Sequence, residues 1–414
     1  MKRHLHSAFI IAMTVAIACS SALSQSKPAK NKFVILHSFV GGSDGQTPAG
    51  GLIMDAAGNL YGTTELGGGP HGQSDCCGSV YKIDPSGNLT ILYGFLGGTD
   101  GKYPTGNLLL DSAGNLYGTT SGGGTSGSAC NGYGCGTVFV LHPDGTEQVL
   151  YNFTGGADGA TPYAGVILGT DGRFYGTTHL GGAYNWGTVF AVDTNGVESV
   201  IHDFNGAAPD GGDIQGGLIS DGAGTFYGLG FGGDNPYCLP NFQLGCGVIY
   251  KVTETGEETV LFAFDGKTNG FWPGGNLTRD SAGNLYGTNQ GMGKGYPSRY
   301  GTIFKLDPAG NLTILHRFTG GKGGIDDWSG VVRDASGNLY GTTLNGGEGT
   351  CDDGCGTVFV LDSLGRFRIL HEFTGGADGG FPAATLLLDA AGNLYGTAQQ
   401  RGLGDGVVFK IIRH

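Results

Sequence analysis

The sequence predicts an all-β protein, a seven-bladed β-propeller of four-stranded antiparallel blades, and three observations support this fold class. A Tyr-Gly pair recurs seven times, at intervals of 52 to 59 residues. Each interval contains four short strand-like runs separated by turn residues, which is the content of one blade. The 86 glycines recur at equivalent positions beside apolar runs, so the composition does not indicate disorder. The pairs begin at Tyr61, Tyr117, Tyr175, Tyr227, Tyr286, Tyr340 and Tyr395.

The four runs of each unit, called strands a, b, c and d in chain order, are joined by hairpin turns. In the second unit they cover residues 107–110, 115–119, 137–141 and 148–153. The a–b turn reads Asp-x-x-Gly-Asn in most units, where Asp caps backbone amides and Gly adopts a positive φ. Strand c is apolar on both faces, as expected for a blade covered by two neighbours. These hairpins predict that each sheet is antiparallel.

The number of turns predicts how the ring closes. The a–b turn occurs seven times but the c–d turn occurs only six times, so one hairpin is missing. The last c strand, at residues 407–412, has no d strand after it, whereas an unpaired d strand stands at residues 33–39. We therefore predict that the N-terminal strand pairs with the C-terminal blade and hides both open sheet edges.

The first residues have the features of an export signal. Lys2 and Arg3 precede an apolar stretch at residues 8–18 that is too short to span a bilayer, and small residues precede Gln25. We therefore expect a secreted or periplasmic protein. The alternative interpretation is a lipoprotein attached through Cys19, but the residues before this cysteine lack the leucine that lipidation prefers.

These features predict a signal peptide at residues 1–24, a linker at 25–32 and one propeller domain at 33–414. No later stretch is apolar and long enough for a membrane helix. The formal net charge is −13 and no run of Lys or Arg occurs, which argues against a nucleic-acid surface. We expect a monomer that has no nucleic-acid partner and no transmembrane segment.

Eight cysteines beyond Cys19 occur in pairs that are close in the sequence. In an oxidising compartment, local pairing predicts disulfides within single blades. The adjacent Cys76 and Cys77 either form a strained ring or pair with partners elsewhere. A zinc site at Cys351 and Cys355 is less favoured, because it needs two further ligands and reduced thiols, so no metal is expected there. The predicted disulfides are Cys130–Cys135, Cys238–Cys246 and Cys351–Cys355.

The ordered pieces of the repeat carry a resemblance to a known family. Gly-Asn-Leu-Tyr-Gly-Thr-Thr at 114–120, Gly-Thr-Val-Phe at 136–139 and Leu-His-x-Phe-Thr-Gly-Gly-x-Asp-Gly at 370–379 are examples. The unit resembles the GloVer repeat of the choice-of-anchor tandem repeat GloVer-containing proteins, over residues 33–414. The resemblance implies a bacterial surface or secreted repeat protein with no assigned reaction. Members are expected to end in a sorting anchor, whereas this chain ends within a strand, which favours release into the medium or periplasm.

Strands a and b are more loosely similar to those of NHL-type and streptogramin-lyase-like propellers, which include both binders and enzymes. No Gly-x-Ser-x-Gly elbow, His-Glu-x-x-His motif or phosphate-binding loop occurs in the sequence. Whether the protein is an enzyme therefore stays open at this point, with the non-catalytic interpretation favoured.

An Asp-Gly pair recurs in the d–a loops, and the histidines of strand d occupy a position that other units fill with Tyr or Phe. We interpret the aspartates as turn-forming residues and the histidines as packing residues. A ring of calcium-binding carboxylates is the alternative for the aspartates, but no Asp-x-Asp-x-Asp spacing supports it, so no cofactor is expected. The aspartates are Asp44, Asp100, Asp158, Asp210 and Asp378, and the histidines are His37, His202, His316 and His371.

The long b–c and d–a loops lie at one end of the ring, called here the long-loop face, and this face is expected to carry function. The candidate ligand-binding residues are those in these loops that break the repeat pattern. Tryptophans beside charged groups are typical of surfaces that stack on sugars, although each tryptophan could equally cover its own loop. The candidates are His179, Trp186, Trp272, Arg299, Tyr300, Asp326, Asp327 and Trp328.

Two functions remain open from the sequence. The first is a secreted, non-catalytic binding or scaffold propeller whose partner is an extracellular polymer, with a glycan on the long-loop face. The alternative is a lyase or a glycan-degrading hydrolase that uses the same face. A cleft that brings together the charged candidates with strongly shifted pKa values would favour the enzyme. A shallow, uncharged face would favour the binding protein.

Overall fold

Seven four-stranded sheets form the described part of the protein, and every neighbouring pair of strands is antiparallel. The structure is a computed structural model that describes residues 31–69, 76–125, 130, 132–207, 209–232, 245–266, 268–290, 300–324, 329–399 and 405–413. Strands a to d lie side by side in chain order in six of the sheets, and in the seventh the N-terminal strand takes the place of strand d. The predicted seven-bladed propeller is therefore confirmed.

Strand a is short in most blades and strand b follows it directly across the Asp-x-x-Gly-Asn turn. The a strands of blades 1 to 7 are Ile53–Met54, Leu109–Leu110, Ile167–Leu168, Ile219–Ser220, Phe271–Arg279, Val331–Arg333 and Leu387–Leu388. The b strands are Leu60–Thr64, Leu116–Thr120, Phe174–Thr178, Thr225–Gly230, Leu285–Gln290, Leu339–Thr343 and Leu394–Ala398.

Strands b and c are the most buried strands of each blade, and strand d is the outer one. The c strands are Ser79–Ile83, Thr137–Leu141, Thr188–Val192, Val248–Thr253, Thr302–Leu306, Thr357–Leu361 and Val407–Ile412. The d strands are Leu89–Gly94, Glu147–Asn152, Glu198–Asp203, Glu258–Ala263, Leu312–Arg317, Phe367–Glu372 and Lys32–Ser38. Short 3-10 turns occupy Gly42–Asp44, Gly98–Asp100 and Gly321–Gly323. Within the described ranges, no helix has the length and apolar character needed to cross a bilayer.

The ring closes through the two ends of the propeller. Lys32–Ser38 pairs antiparallel with Val407–Ile412, with Phe33 opposite Ile411. The amide of Phe39 also donates a hydrogen bond to the carbonyl of Gly406 at 2.9 Å. The N-terminal strand thus supplies strand d of blade 7, as the turn count predicts, and the sheet edge of that blade is covered.

Neighbouring blades interlock through one repeated aromatic contact. A phenylalanine directly after strand d packs edge-on against the aromatic ring in strand c of the next blade, with ring centroids 5.0 to 5.5 Å apart. Each of these rings is almost completely buried. The seven pairs are Phe39–Tyr81, Phe95–Phe139, Phe153–Phe190, Phe204–Tyr250, Phe264–Phe304, Phe318–Phe359 and Phe373–Phe409.

The glycine of each Tyr-Gly pair provides the space for this aromatic ring. Gly118 lies opposite Phe139 in the sheet, and a Cβ atom on Gly118 would stand 2.6 Å from the ring of Phe139. Gly176 has the same relation to Phe190, at 2.5 Å. A glycine inside a strand usually marks a bulge or a close backbone approach, and from the sequence alone it indicates tight packing between neighbouring blades. The structure corrects that interpretation, because the crowding comes from the c strand of the same blade, whose ring then reaches the neighbour.

The tyrosine of the Tyr-Gly pair is hydrogen-bonded to the aspartate that begins the a–b turn. In blade 2, the Oδ1 atom of Asp111 accepts hydrogen bonds from the amides of Ala113 and Asn115, at 2.9 and 2.8 Å. Its Oδ2 atom accepts from the Asn115 side chain at 2.7 Å and from the Tyr117 hydroxyl at 3.2 Å. Burial would raise the pKa of Asp111, but these hydrogen bonds outweigh it and hold the pKa below its ordinary value. The recurrent tyrosine therefore stabilises the turn.

Three local disulfides join six of the described cysteines. The predicted Cys130–Cys135 and Cys351–Cys355 bonds are confirmed, and Cys76 and Cys77 bond to each other. Cys246 is also disulfide-bonded. The expected partner, Cys238, lies outside the described residues, so that pairing stays a prediction.

The recurrent aspartate of the d–a loop binds strand d and the loop backbone. Asp100 accepts hydrogen bonds from the Tyr93 hydroxyl and from the Leu96 amide, each at 2.6 Å. His371 and Asp378 form the equivalent pair in blade 6, at 3.1 Å. These contacts confirm the interpretation of the aspartates as turn-forming residues, and they show that His37, His202 and His371 take part in the same hydrogen bond.

At two blade junctions, a glutamate from the next blade lies beside such a pair. Glu147, the first residue of strand d in blade 2, lies beside Asp100 and Tyr93 of blade 1, and burial together with the Asp100 charge raises its pKa to about 7. Burial and the charges of Asp158 and Asp203 likewise raise the pKa of Glu198 to about 7. Both carboxyl groups therefore carry a proton in mildly acidic solution.

Substituting Glu147 with Gln should stabilise the protein above neutral pH. The pKa of Glu147 is higher in the folded protein (about 7) than its ordinary value of 4.5, so its contribution to stability is present below pH 4.5 and is lost as the pH rises through 7. We expect E147Q to gain about 1–2 kcal/mol over the wild type at pH 8, after allowance for solvent screening, and nothing at pH 4.5. Denaturant unfolding across this pH range measures the difference. The control is E257Q in an exposed turn, and equal pH profiles for both variants would contradict the assignment.

Candidate functional site

The start of each strand a faces a central channel that opens at the long-loop face. All seven blades contribute to its lining, and its cavity volume is about 270 Å³. The channel mouth is therefore the point where loops from different blades meet. One lining residue from each blade, in order, is Ala49, Thr105, Tyr163, Gln215, Gly274, Ser329 and Ala383.

The described lining of the channel contains no charged side chain. Asn107 and Asn276 bridge neighbouring blades, because their Oδ1 atoms accept hydrogen bonds from the amides of Gly51 at 2.7 Å and Gly217 at 2.9 Å. Threonines of strand b add further links, such as the one from Thr119 to the carbonyl of Ala164 at 2.8 Å. The wall is thus neutral, polar and held in place by contacts between blades.

One candidate from the sequence, His179, lies next to this mouth. Its Nδ1 atom is 2.7 Å from the Oδ1 atom of Asp213, an ion-pair distance, although the ring is not aligned for a linear hydrogen bond. Gln215 donates a hydrogen bond to the same carboxylate at 3.1 Å, and the Tyr163 ring centroid is 5.3 Å from that of His179. Burial would raise the pKa of Asp213, but His179 outweighs it and lowers the pKa, so the carboxylate stays ionised.

Trp186 packs against the loop that carries Asp213. Its half-buried ring covers Gly206 and Gly212, where an added Cβ atom would come within 2.3 and 2.9 Å of the indole. Its carbonyl accepts a hydrogen bond from the Asp213 amide at 2.9 Å. The structure therefore brings Trp186 and His179 together through Asp213, with the indole packed inward against the loop.

Trp272 lies at the start of strand a in blade 5 and is half-buried. It stacks on Phe231 with ring centroids 5.8 Å apart, and its indole nitrogen donates to the carbonyl of Gly245 at 3.3 Å. Phe231 lines the channel, whereas Trp272 does not. Trp272 therefore contacts the channel wall through Phe231. Tyr300 covers Gly320 in the d–a loop of blade 5.

Four of the other candidates, Arg299, Asp326, Asp327 and Trp328, lie outside the described residues. Their role as ligand contacts stays a prediction.

Three exposed tyrosines and Asp213 are not among the site residues predicted from the sequence. Tyr133, Tyr163 and Tyr184 are 64%, 39% and 62% exposed, and all three belong to the long loops of blades 2 and 3. Comparison of repeat positions could have found Asp213. It occupies a site before strand a where φ is positive in the described blades, between 50° and 62°, and where one other unit, with Asp326 at the equivalent place in the sequence, also has a carboxylate. The described residues at this site are Thr47, Tyr103, Thr161, Asp213, Trp272 and Phe381.

Three overlapping stretches of the chain, residues 21–131, 128–331 and 298–414, match the model of the Gloeobacter/Verrucomicrobia repeat. No curated protein matches the sequence.

Several solved structures are similar to this chain at low identity. One is provisionally described as a gluconolactonase, with 11% identity, 94% of this chain and 93% of that chain covered, and a TM-score of 0.42. Two more are provisionally described as 6-phosphogluconolactonases. The one from Bacteroides uniformis has 14% identity, 87% and 88% coverage and a TM-score of 0.47. The one from Bacteroides fragilis has 18% identity, 78% and 82% coverage and a TM-score of 0.46. At these values the likeness carries no argument about function.

The packing of Trp272 predicts a structural effect for its removal. We expect W272A to lose about 2–3 kcal/mol of unfolding free energy, because a half-buried aromatic leaves a partial cavity. Tyr184, which is 62% exposed on blade 3, is the matched control, and Y184A should stay within about 0.5 kcal/mol of the wild type. Chemical denaturation of both variants gives the comparison. Equal stabilities would show that the Trp272 ring contributes no packing.

Proposed function

The chain belongs to the Gloeobacter/Verrucomicrobia repeat family, and on that premise we propose that it is a secreted, non-catalytic binding protein for a neutral glycan. The ligand would bind at the channel mouth of the long-loop face. Secretion is supported by the signal-like residues 1–24 and by the local disulfides, which persist in oxidising compartments.

The observation that carries this proposal is Tyr163, an exposed tyrosine in the channel lining, together with two more exposed tyrosines, Tyr133 and Tyr184, in the long loops of blades 2 and 3. A tyrosine ring on the surface offers a flat apolar face and a hydroxyl at its edge, which suits the apolar faces and hydroxyl groups of sugars. Tyr163 is 39% exposed and lines the channel, while Tyr184 is 62% exposed in the neighbouring loop of the same blade. Gln215 and Thr105 of the lining add amide and hydroxyl groups that can hydrogen-bond to sugar hydroxyls.

The charge distribution favours a neutral glycan over an anionic one. The chain carries a formal net charge of −13, and the described channel lining has no cation to bind a carboxylate or phosphate. An anionic polymer would meet repulsion at this face, whereas a neutral polymer would meet aromatic and amide groups.

A second function, hydrolysis or elimination on a glycan, is favoured by one specific observation. His179 and the ionised Asp213 lie 2.7 Å apart beside Tyr163, and a carboxylate that orients a histidine is a common arrangement for a general base. This alternative differs from the first in one measurable outcome, because a bound glycan would be converted to product.

Removing the exposed rings should weaken binding without unfolding the propeller. A glycan array probed with the secreted protein identifies the ligand, and calorimetry with that ligand then compares variants. We expect Y163A to lose about tenfold or more in affinity, corresponding to ~1.4 kcal/mol, because the stacking surface at the mouth is lost. Y184A should weaken binding in the same direction.

The control is L364A on the opposite face, where Leu364 is 77% exposed in a c–d turn, and its affinity should equal that of the wild type. If no neutral glycan binds, or if Y163A binds as tightly as L364A, the proposed site is wrong. Chromatography of the incubated glycan decides between the two functions. Shortened products that disappear in H179A would replace the binding proposal with the enzymatic one.

A further inference from the structure

A group of three metal-ligating side chains lies at the junction of blades 3 and 4. His202 belongs to strand d of blade 3, Asp210 to the loop after it, and Glu258 begins strand d of blade 4. One donor atom of each residue lies within 4.8 Å of the donor atoms of the other two. None of the three residues lines the channel described above. We propose that His202, Asp210 and Glu258 form a binding site for a divalent transition-metal cation of the zinc class.

The spacing of two of the donors already suits a single ion. The Nε2 atom of His202 is 3.1 Å from the Oδ1 atom of Asp210. Two ligands of a tetrahedral zinc ion, each about 2.0–2.1 Å from the metal, lie about 3.3 Å apart. The carboxylate of Glu258 completes the set by rotation of its side chain toward the other two donors.

The surroundings of the three side chains also fit a cation. Asp210 is only 8% exposed, and its carboxylate is held in place by the amides of Asn205 at 2.8 Å and Gly211 at 2.9 Å. The Oε1 atom of Glu258 is buried and has no hydrogen-bond partner, as is also true of Glu147 and Glu198 at the Tyr-containing junctions, so the imidazole of His202 is what distinguishes this group. A buried carboxylate oxygen without a partner is costly, and a bound cation would supply the missing interaction.

The other blade junctions show that this combination is not a general feature of the repeat. Each junction places the same three positions together, and only this one combines histidine, aspartate and glutamate. Two junctions have Tyr in place of the histidine. At another, His371 and Asp378 are covered by Phe33, whose ring stacks on His371 at 3.7 Å. The Tyr-containing sets are Tyr93, Asp100, Glu147 and Tyr151, Asp158, Glu198.

The donor types select the class of metal. Zinc takes imidazole nitrogen and carboxylate oxygen together, usually with four ligands, so a water molecule would fill the remaining position. Calcium takes six to eight oxygen ligands, and a site with one imidazole and two carboxylates is poor for it. A zinc ion here would join the outer strands of two blades and stabilise the folded ring by mass action.

Equilibrium dialysis of the secreted protein, prepared without a polyhistidine tag, tests the proposal with zinc chloride. We expect one zinc ion per chain and a rise in the thermal midpoint on its addition. H202Y and E258F each install a residue that the chain itself uses at an equivalent junction, so both should fold. Each should weaken zinc binding by at least about tenfold. H371Y makes the same change at another junction and is the control, so its zinc binding should equal that of the wild type.

Crystals soaked in zinc should give an anomalous peak about 2.0–2.2 Å from all three side chains. Zinc binding that is unchanged in E258F or H202Y would overturn the proposal, as would a peak at any other position. Failure of the wild type to bind zinc, or equal binding of calcium, would also overturn it. The three residues would then form only a hydrogen-bonded group between the blades.

Discussion

The contact between the phenylalanine after strand d and the ring in strand c of the next blade is the interaction on which the rest of the structure depends. It occurs at all seven junctions, with ring centroids 5.0 to 5.5 Å apart. It explains the most regular feature of the sequence, since the glycine of each Tyr-Gly pair leaves room for the strand c ring. Each blade alone would expose these rings, so the blades are stable only as a ring.

The same contact fixes the base of every d–a loop. Phe153, for example, is completely buried at the end of strand d in blade 2, and the loop that follows it leads to Tyr163 at the channel mouth. Hydrogen bonds between blades, such as those of Asn107 and Asn276, then hold the channel wall. Repeated residues therefore build a rigid frame, and single departures from the repeat supply chemistry. Asp213 beside His179 and Glu258 beside His202 are departures of this kind.

Much of this fold could be predicted from the sequence, because turns and strand periods are local properties. Seven a–b turns against six c–d turns predict the closure, which the pairing of Lys32–Ser38 with Val407–Ile412 confirms. The site was harder to predict, since ring geometry brings together residues from different blades that are distant in the sequence. Tyr163 and Asp213 were missed for this reason. The tryptophans are predicted ligand contacts because they break the repeat pattern. In the structure, however, the rings of Trp186 and Trp272 pack against glycines and aromatics of the loops.

Removal of one ring from the junction of blades 2 and 3 measures how strongly this aromatic contact holds the propeller together. Phe153 packs on Phe190 with centroids 5.0 Å apart, and chemical denaturation of F153A measures what this contact contributes to the whole ring. We expect a single cooperative unfolding transition and a loss of about 3–5 kcal/mol, as for a fully buried aromatic. L364A, which changes a 77% exposed side chain, is the control. A loss in F153A no larger than that in L364A would contradict the claim that this interlock holds the propeller together.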